Sequence, residues 1–269
     1  MPSGAQSQSL VDAQAFAYTY SPPSYPDPTT LLDDYERVME YASKYPDHGR
    51  TRVGKAVELP PSRVRTWIEG GKPDAVRGVE TAREHGWLDA TLHAPIGDAF
   101  AVLAAGIYTC GSIDSDRVVP AWNPSTKITN HLITHALDVV GTGFRLRHGS
   151  ATERPTEIIP ATDASVFGRI LVSLGVPQGD FTMVESLPDW VDQAATSTRQ
   201  TLALLWICER ATVHQHKDTL VIQAKSRGTL YQRTVASLIR EIVDGTVTST
   251  DQNVVISAAA ARTLPLIFR

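Results

Sequence analysis

Apolar positions recur at helical spacing in the first third of the chain and alternate with polar positions further on. Between residues 31 and 41 the apolar side chains stand three or four positions apart, which is typical of a helix with one buried face. These side chains are Leu31, Leu32, Tyr35, Val38, Met39 and Tyr41. Asp27 and Pro28 precede them as a helix-start signal, because aspartate caps a first turn and proline fits its first position. The pattern therefore predicts a long helix that begins near residue 28.

Three shorter helices follow and complete a predicted helical unit over residues 29–90. We expect them over residues 52–59, 61–69 and 74–87, because proline is favoured at the first helical position and glycine just past the last. Residues 1–28 are rich in Ser, Pro, Gln and Tyr. Such a composition rarely buries enough apolar surface to fold, so the pattern predicts a flexible tail there.

Two apolar helices divide the rest of the chain into similar halves. AVLAAGIYTCGSI, residues 101–113, runs from small apolar residues into a short strand, and LALLWICERATV, residues 202–213, repeats this pattern. Strands and a further helix follow each of them, so the order helix, strand, strand, helix, strand, strand occurs twice. This mixed order predicts an α+β fold, with repeat one over 95–180, a linker over 181–195 and repeat two over 196–269.

Small residues are expected where these two helices meet, because backbones can approach closely only where the side chains are small. Ala104, Ala105 and Gly106 supply them in the first helix, and Ala203 does so in the second. The alternative is an ordinary buried helix pair.

In the first repeat, Phe144 and Leu146 alternate with Arg145 and Arg147. Successive side chains of a strand point to opposite faces. We therefore expect the two apolar residues under the sheet and the two arginines on its outer face.

The second repeat shows the same alternation, with Leu220 and Ile222 expected to face the core. The polar residues expected on its outer surface are His214, His216, Gln223 and Lys225. The two histidines would share one face of the neighbouring strand. Outer faces of this kind are either solvated or available for phosphates and base edges.

The segment RTRVGKAVELPPSRVRTWIEGG, residues 50–71, resembles a helix-turn-helix. Its predicted core residues are Val53, Ala56, Val57, Val64 and Ile68. The residues left outward at the start of the second helix are Ser62, Arg63, Arg65 and Thr66. A recognition helix contacts base edges of the major groove at this position. The alternative is a small helical bundle with a solvated arginine face.

The composition is that of an ordinary globular protein, with 42% hydrophobic residues, 20% charged residues and a net charge of −4. This charge neither favours nor excludes nucleic acid, because the location of the positive charge matters more than its sum. Two cysteines, Cys110 and Cys208, exclude a disulfide scaffold and fit a reducing cytoplasm. Neither a secretory signal nor a membrane-length apolar run is present, so we expect a cytoplasmic protein.

The two apolar helices resemble the motifs of the LAGLIDADG homing endonuclease family. AFAVLAAGIYTCGSI is similar to the form LLGLYLGDGSI, and TRQTLALLWICERATV to the second-copy form FLRGLFDAEGSV. LGVPQGDFTMVESLPDW is similar to the segment that joins the repeats of single-chain members, and HQHKDTLVIQAKSRGTLYQRTVASLIREI resembles the hairpin and helix after the second motif. The resemblance covers about residues 95–269.

The resemblance implies a saddle-shaped DNA-binding surface and two acids, one at each motif-helix end, that share catalytic metals. Matching the motifs puts Cys110 and Glu209 at the acid positions, with Arg210 where glycine is usual. A thiol is a poor ligand for Mg²⁺, so no catalytic or metal site is expected. Asp114 and Asp116 are candidates to restore one. Glu209 would be a relic or a helix-end acid in a polar network.

We therefore expect a sequence-specific protein for double-stranded DNA, a transcriptional regulator built on a nuclease-dead LAGLIDADG scaffold that needs no cofactor. A monomer or a dimer fits the tandem repeat. The alternative is an active Mg²⁺-dependent homing-type endonuclease that uses Glu209 with Asp114 or Asp116. In a third hypothesis the saddle binds a protein or a small molecule, and residues 30–90 alone bind DNA.

Overall fold

The structure, a computed structural model, is of the mixed α+β class that the sequence predicts. The described residues are 9–20, 25, 27–148, 155–179, 184–214, 216–224 and 226–264. The chain forms two compact units: one is Val11–Leu88, and the other combines Met1–Leu10 with Asp89–Arg269. Among the described residues, no helix is both long and apolar enough to cross a membrane.

The first unit is helical. Its helices are α1 (Ala13–Tyr18), α2 (Pro28–Lys44), α3 (Arg50–Val57), α4 (Pro61–Ile68) and α5 (Asp74–Glu84). The Asp27 carboxylate accepts the Thr29 N–H at 2.9 Å, which caps α2 as predicted. Tyr35 and Trp67 pack edge to face with their ring centroids 5.5 Å apart. Four of the five helices were predicted.

Helix α1 corrects the prediction of a flexible tail over residues 1–28. Its Phe16 and Ala17 are fully buried, and it packs against α2 and α5. Tyr20 lies so close to Gly78 that a Cβ on that glycine would come within 2.0 Å of the Tyr20 hydroxyl. Tertiary packing thus stabilises a six-residue helix that would not persist alone. Residues 1–8, 21–24 and 26 of the predicted tail lie outside the described residues.

The core between α3 and α4 also differs from the prediction. Val53 and Val64 are fully buried as expected, whereas Ala56 is exposed. Val57 and Ile68 are half-buried. Trp67, which the predicted core omits, is 5% exposed. The hydrophobic face of α4 is therefore rotated toward Trp67.

The second unit carries the same element order twice. Its first half contains α6 (Pro95–Cys110), β1 (Gly111–Ile113), β2 (Pro120–Trp122), α7 (Lys127–Val139), β3 (Phe144–Arg147), β4 (Glu157–Pro160) and α8 (Ala164–Ser173). After a short α9 (Trp190–Gln193), its second half contains α10 (Thr196–Arg210), β5 (Ala211–Val213), β6 (Leu220–Gln223), α11 (Thr229–Arg240), β7 (Val247–Ser249), β8 (Asn253–Ile256) and α12 (Ala258–Thr263). The antiparallel sheets have the corresponding orders β1-β2-β4-β3 and β5-β6-β8-β7.

The first hairpins of the two halves match residue by residue. Gly111 pairs with Trp122 in the first, and Ala211 pairs with Ile222 in the second. Six-residue loops over 114–119 and 214–219 close both hairpins, each with one N–H···O bond between its ends. The paired residues of the first hairpin therefore have their equivalents 100 positions later in the second.

Helix α6 forms the centre of this unit and packs against both α7 and α10. The Thr198 hydroxyl donates to the Asp98 carboxylate, which joins the first turns of α6 and α10 at equivalent positions. Of the small residues predicted where α6 meets α10, Gly106 instead faces Trp122 and α7. A Cβ there would come within 2.6 Å of Ile133 and 2.7 Å of the Trp122 indole nitrogen. Gly106 thus accommodates Trp122 and α7.

Candidate nucleic-acid interface

The predicted recognition residues lie at the start of α4, and three of them face solvent. Ser62, Arg65 and Thr66 are exposed. The Arg65 Nε donates to the Glu69 carboxylate at 2.8 Å, an exposed ion pair of the kind that contributes little to stability. A phosphate or a guanine edge can therefore compete for Arg65 at small cost.

Arg63 is not free on this surface, which corrects the expectation of an outward side chain. It is half-buried, and its guanidinium lies over the Tyr25 ring, 4.4 Å from the ring centroid. The Tyr25 hydroxyl donates to Asp34 at 2.9 Å. Burial, followed by the Asp34 contact, raises the pKa of Tyr25 to about 12. Arg63 therefore rests on a neutral ring and positions α4.

Both predicted arginines lie on one face of the first sheet, which also carries the buried Ile159. Strand register places Arg145 opposite Ile159 and Arg147 opposite Glu157. Arg145 is exposed, whereas the Arg147 Nε donates to Glu157 at 2.6 Å and is partly covered. Of the two, only Arg145 presents an exposed guanidinium.

Phe144 and Leu146 are not buried under the sheet, contrary to the alternation argument. They are 42% and 57% exposed, although register places them on the face of the buried Ile158. The reason is position, since β3 is the edge strand of its sheet.

In the second sheet the predicted core residues are buried, but only some of the residues predicted for the outer face lie on a strand. Leu220 and Ile222 are buried, and Gln223 is exposed. Strand β5 ends at Val213, so His214 and His216 belong to the loop that follows it. They therefore do not share a strand face, and both are exposed. Lys225 lies outside the described residues.

The ends of α6 and α10 correct the alignment of the two motifs. Because the hairpins match with an offset of 100 positions, the equivalent of Cys110 is Arg210, the last residue of α10. Glu209 is instead equivalent to Thr109. The sequence contained the signal, since Gly111-Ser112-Ile113 matches Ala211-Thr212-Val213. Neither helix therefore ends in a carboxylate.

Glu209 takes part in a polar network that connects the two halves. Its carboxylate accepts the Ser125 N–H at 2.9 Å and the Thr126 hydroxyl at 3.5 Å. Thr126 is the N-cap of α7, where a negative charge interacts favourably with the helix dipole. Of the two roles that the sequence left open, the helix-end acid in a polar network matches these contacts.

Both cysteines lie near this network. Burial, followed by the Glu209 charge, raises the pKa of the Cys110 thiol to about 12. Burial also raises the pKa of Cys208, which contacts Thr126. Neither thiol is disposed to be a thiolate ligand at neutral pH.

Asp114 and Asp116 lie in the β1–β2 loop beyond the strand on which they were expected. The Asp114 carboxylate accepts the backbone N–H groups of Arg117 at 2.6 Å and Asp116 at 3.0 Å, and these hydrogen bonds lower its pKa. It thus closes the loop. Among the described residues, no group of three or more His, Cys, Asp or Glu side chains is placed to hold a metal ion.

Comparison with known proteins finds no family model that matches this chain and no curated protein with significant similarity to it.

Proposed function

We propose that this protein binds double-stranded DNA sequence-specifically as a transcriptional regulator, on a LAGLIDADG-like scaffold without nuclease activity. The observation that carries the proposal is the repeated order helix, strand, strand, helix, strand, strand, with motif helices α6 and α10 packed together. That order is the one the motif resemblance implies. In this proposal the outer faces of the two sheets contact the major groove.

The loss of nuclease activity is supported by the helix ends. A two-metal mechanism requires carboxylate oxygens where the motif helices end. Cys110 and Arg210 occupy those ends, and Glu209 is directed to the start of α7. A guanidinium repels a divalent cation and attracts phosphate.

Base reading is assigned to exposed polar side chains on both units. On the sheets these are Arg145 and Gln223, which suit guanine and adenine edges respectively. On α4 they are Ser62, Arg65 and Thr66. Two surfaces on one chain raise the overall affinity through effective concentration.

The proposal is tested by selecting bound duplexes from a randomised library with the full-length protein. We expect a consensus sequence whose affinity falls as salt rises. Arg145→Ala should weaken binding roughly tenfold and relax the preference at one position, because a bidentate base contact is lost. Arg233→Ala is the matched control, since Arg233 is exposed on helix α11 and should leave binding unchanged. Absence of any salt-sensitive preference refutes the proposal.

A second arm holds the selected duplex with the protein in Mg²⁺ and separates the strands on a denaturing gel. Intact strands are expected. Defined breaks that disappear in Glu209→Gln would instead mean an active endonuclease and refute the nuclease-dead part of the proposal.

A further inference from the structure

A groove of about 380 Å³ lies between helices α2 and α5 of the helical unit. Its apolar residues are Leu32, Tyr35, Met39, Val76 and Val79, and charged residues of both helices flank them. All of the lining residues belong to α2 or α5. The groove therefore shares no residue with the DNA-reading surface proposed on α4.

Met39 gives the groove accessible apolar surface. Its side chain is 38% exposed, although methionine is usually found in a core, and Leu32 on the same helix is half-buried. Val76 and Val79 on α5 are almost fully buried and close the floor. On each helix these apolar residues recur at the three- or four-residue spacing of one helix face. Two such stripes form the kind of groove into which an amphipathic helix packs.

The α2 side of the groove is anionic. Asp33, Glu36 and Glu40 are exposed and follow one another at spacings of three and four residues, over about 10 Å of helix. Within the part of the chain that the structure describes, none of the three forms a salt bridge or a side-chain hydrogen bond. Arg37 lies between them in sequence but pairs with Asp34 at 3.2 Å. Like charges at this spacing repel one another, so a cationic partner would relieve the repulsion.

The α5 side of the groove carries charges of both signs. Glu80 pairs with Lys72 at 2.6 Å, and Arg83 adds a positive charge. The negative charge is thus concentrated along α2. This asymmetry favours an occupant whose cations lie on the side that faces α2, and it sets the orientation of that occupant in the groove.

We propose that the groove binds a basic amphipathic helix of a partner protein. The apolar residues of that helix pack on Leu32 and Met39, while its arginines or lysines pair with Asp33, Glu36 and Glu40. Such side chains cover apolar surface with their stems and present the charge beyond it. Nucleic acid does not fit this groove, because the α2 carboxylates repel phosphates. Binding at the groove does not depend on DNA binding.

Titration of the full-length protein with an amphipathic peptide of about 18 residues tests this inference, since shorter helices are marginal in water. The peptide carries leucines at three- and four-residue spacing with arginines beside them, and a scrambled peptide of the same composition is the control. Methyl-labelled methionine reports the contact, because the chain has three methionines and Met39→Leu identifies the signal of Met39. We expect the amphipathic peptide to shift that signal and to bind at least tenfold more tightly than the scrambled one.

Three variants locate the contacts. Met39→Ser and the double variant Glu36→Gln/Glu40→Gln change exposed side chains, so both proteins should fold, and thermal melting checks this. Each should weaken binding of the amphipathic peptide about tenfold, because one removes apolar contact and the other two charge pairs. Asp47→Asn, which removes an exposed acid elsewhere in the helical unit, is the matched control and should have no effect.

Equal binding of the two peptides, or a Met39 signal that the amphipathic peptide leaves unmoved, overturns the inference. A dimer of the free protein that Met39→Ser dissociates would mean that a second copy fills the groove, which also overturns it. If the peptide binds as expected and no duplex is preferred, the inference holds and the DNA-binding proposal fails. If a duplex is preferred and the peptide does not bind, the DNA-binding proposal stands alone.

Discussion

Cys110 ends α6 in apolar surroundings beside a carboxylate, and both features act on its thiol in the same direction. Desolvation disfavours the thiolate, and the negative charge of Glu209 disfavours it further. The same carboxylate satisfies the Ser125 N–H across the repeat boundary. Glu209 therefore has a structural role at the start of α7.

We predict that Cys110 reacts slowly with iodoacetamide at pH 8. A pKa raised to about 12 leaves on the order of one thiolate in 10,000 at that pH, against about one in four for an ordinary cysteine. The rate should rise about tenfold per pH unit between 8 and 10, because each unit multiplies the thiolate fraction by ten. Peptide-resolved mass spectrometry measures this rate separately from that of Cys208.

Glu209→Gln should raise the Cys110 rate, because removing a negative charge lowers the pKa of the neighbouring thiol. Glu40→Gln, an exposed substitution in the helical unit, is the control. Equal rates in the two variants would show that Glu209 does not influence the thiol.

At the scale of elements, close approach between a helix and a loop positions the first hairpin. Gly168 lies within α8, and a Cβ there would come within 1.8 Å of the Val118 carbonyl oxygen and 3.0 Å of Pro120. Val118 itself has a φ of 55°, a left-handed conformation that is costly for a β-branched residue. Contact with α8 holds this turn in place.

Gly168→Ala should therefore destabilise the α/β unit by about 1–3 kcal/mol or more, the usual cost of overpacking, because backbone has to move. Ser165→Ala, three positions earlier on the same helix, serves as the control. It should lower the free energy of unfolding only slightly, since it removes one atom from a half-buried side chain. Denaturant unfolding of both variants measures the difference. Equal unfolding midpoints for the two variants would mean that α8 moves to accommodate the added methyl group without loss of stability.

At the scale of the whole molecule, each of the two units has its own buried core. Trp67 and Val64 lie in the core of Val11–Leu88, while Trp122 and Trp206 lie in that of the larger unit. Leu10, which directly precedes the helical unit, belongs to the larger unit, since its N–H donates to the Ala90 carbonyl at 2.7 Å. Residues of the α/β unit therefore flank the helical unit on both sides in the chain.

Separate cores predict separate unfolding transitions. Trp67→Ala should lower the midpoint of the helical unit by an amount that corresponds to about 3–5 kcal/mol, the usual cost of removing a buried tryptophan. Trp67→Ala should leave the unfolding midpoint of the α/β unit unchanged, because substitutions at distant sites act independently. Gly168→Ala should lower that midpoint alone. Calorimetric scans of both single variants and of the double variant measure this. A single transition that both substitutions shift would contradict independent cores.

The sequence by itself determined the features that depend on neighbouring residues. Hydrophobic period located the helices α2, α6 and α10, and turn residues marked the start of α2 and the bounds of α3, α4 and α5, because such signals act within a few positions. The recurrence of one order over about a hundred residues likewise predicted the α+β class and the two matching sheets.

The tertiary structure alone decided features that depend on residues distant in sequence. Phe144 is exposed on an edge strand, and Arg63 lies over the Tyr25 ring. The Glu209 carboxylate accepts the N–H of Ser125, 84 positions earlier in the chain. Strand register made Arg210 the counterpart of Cys110. Local periodicity fixes which side of an element is apolar, but burial and pairing depend on what packs against that side, and only the folded chain brings those partners together.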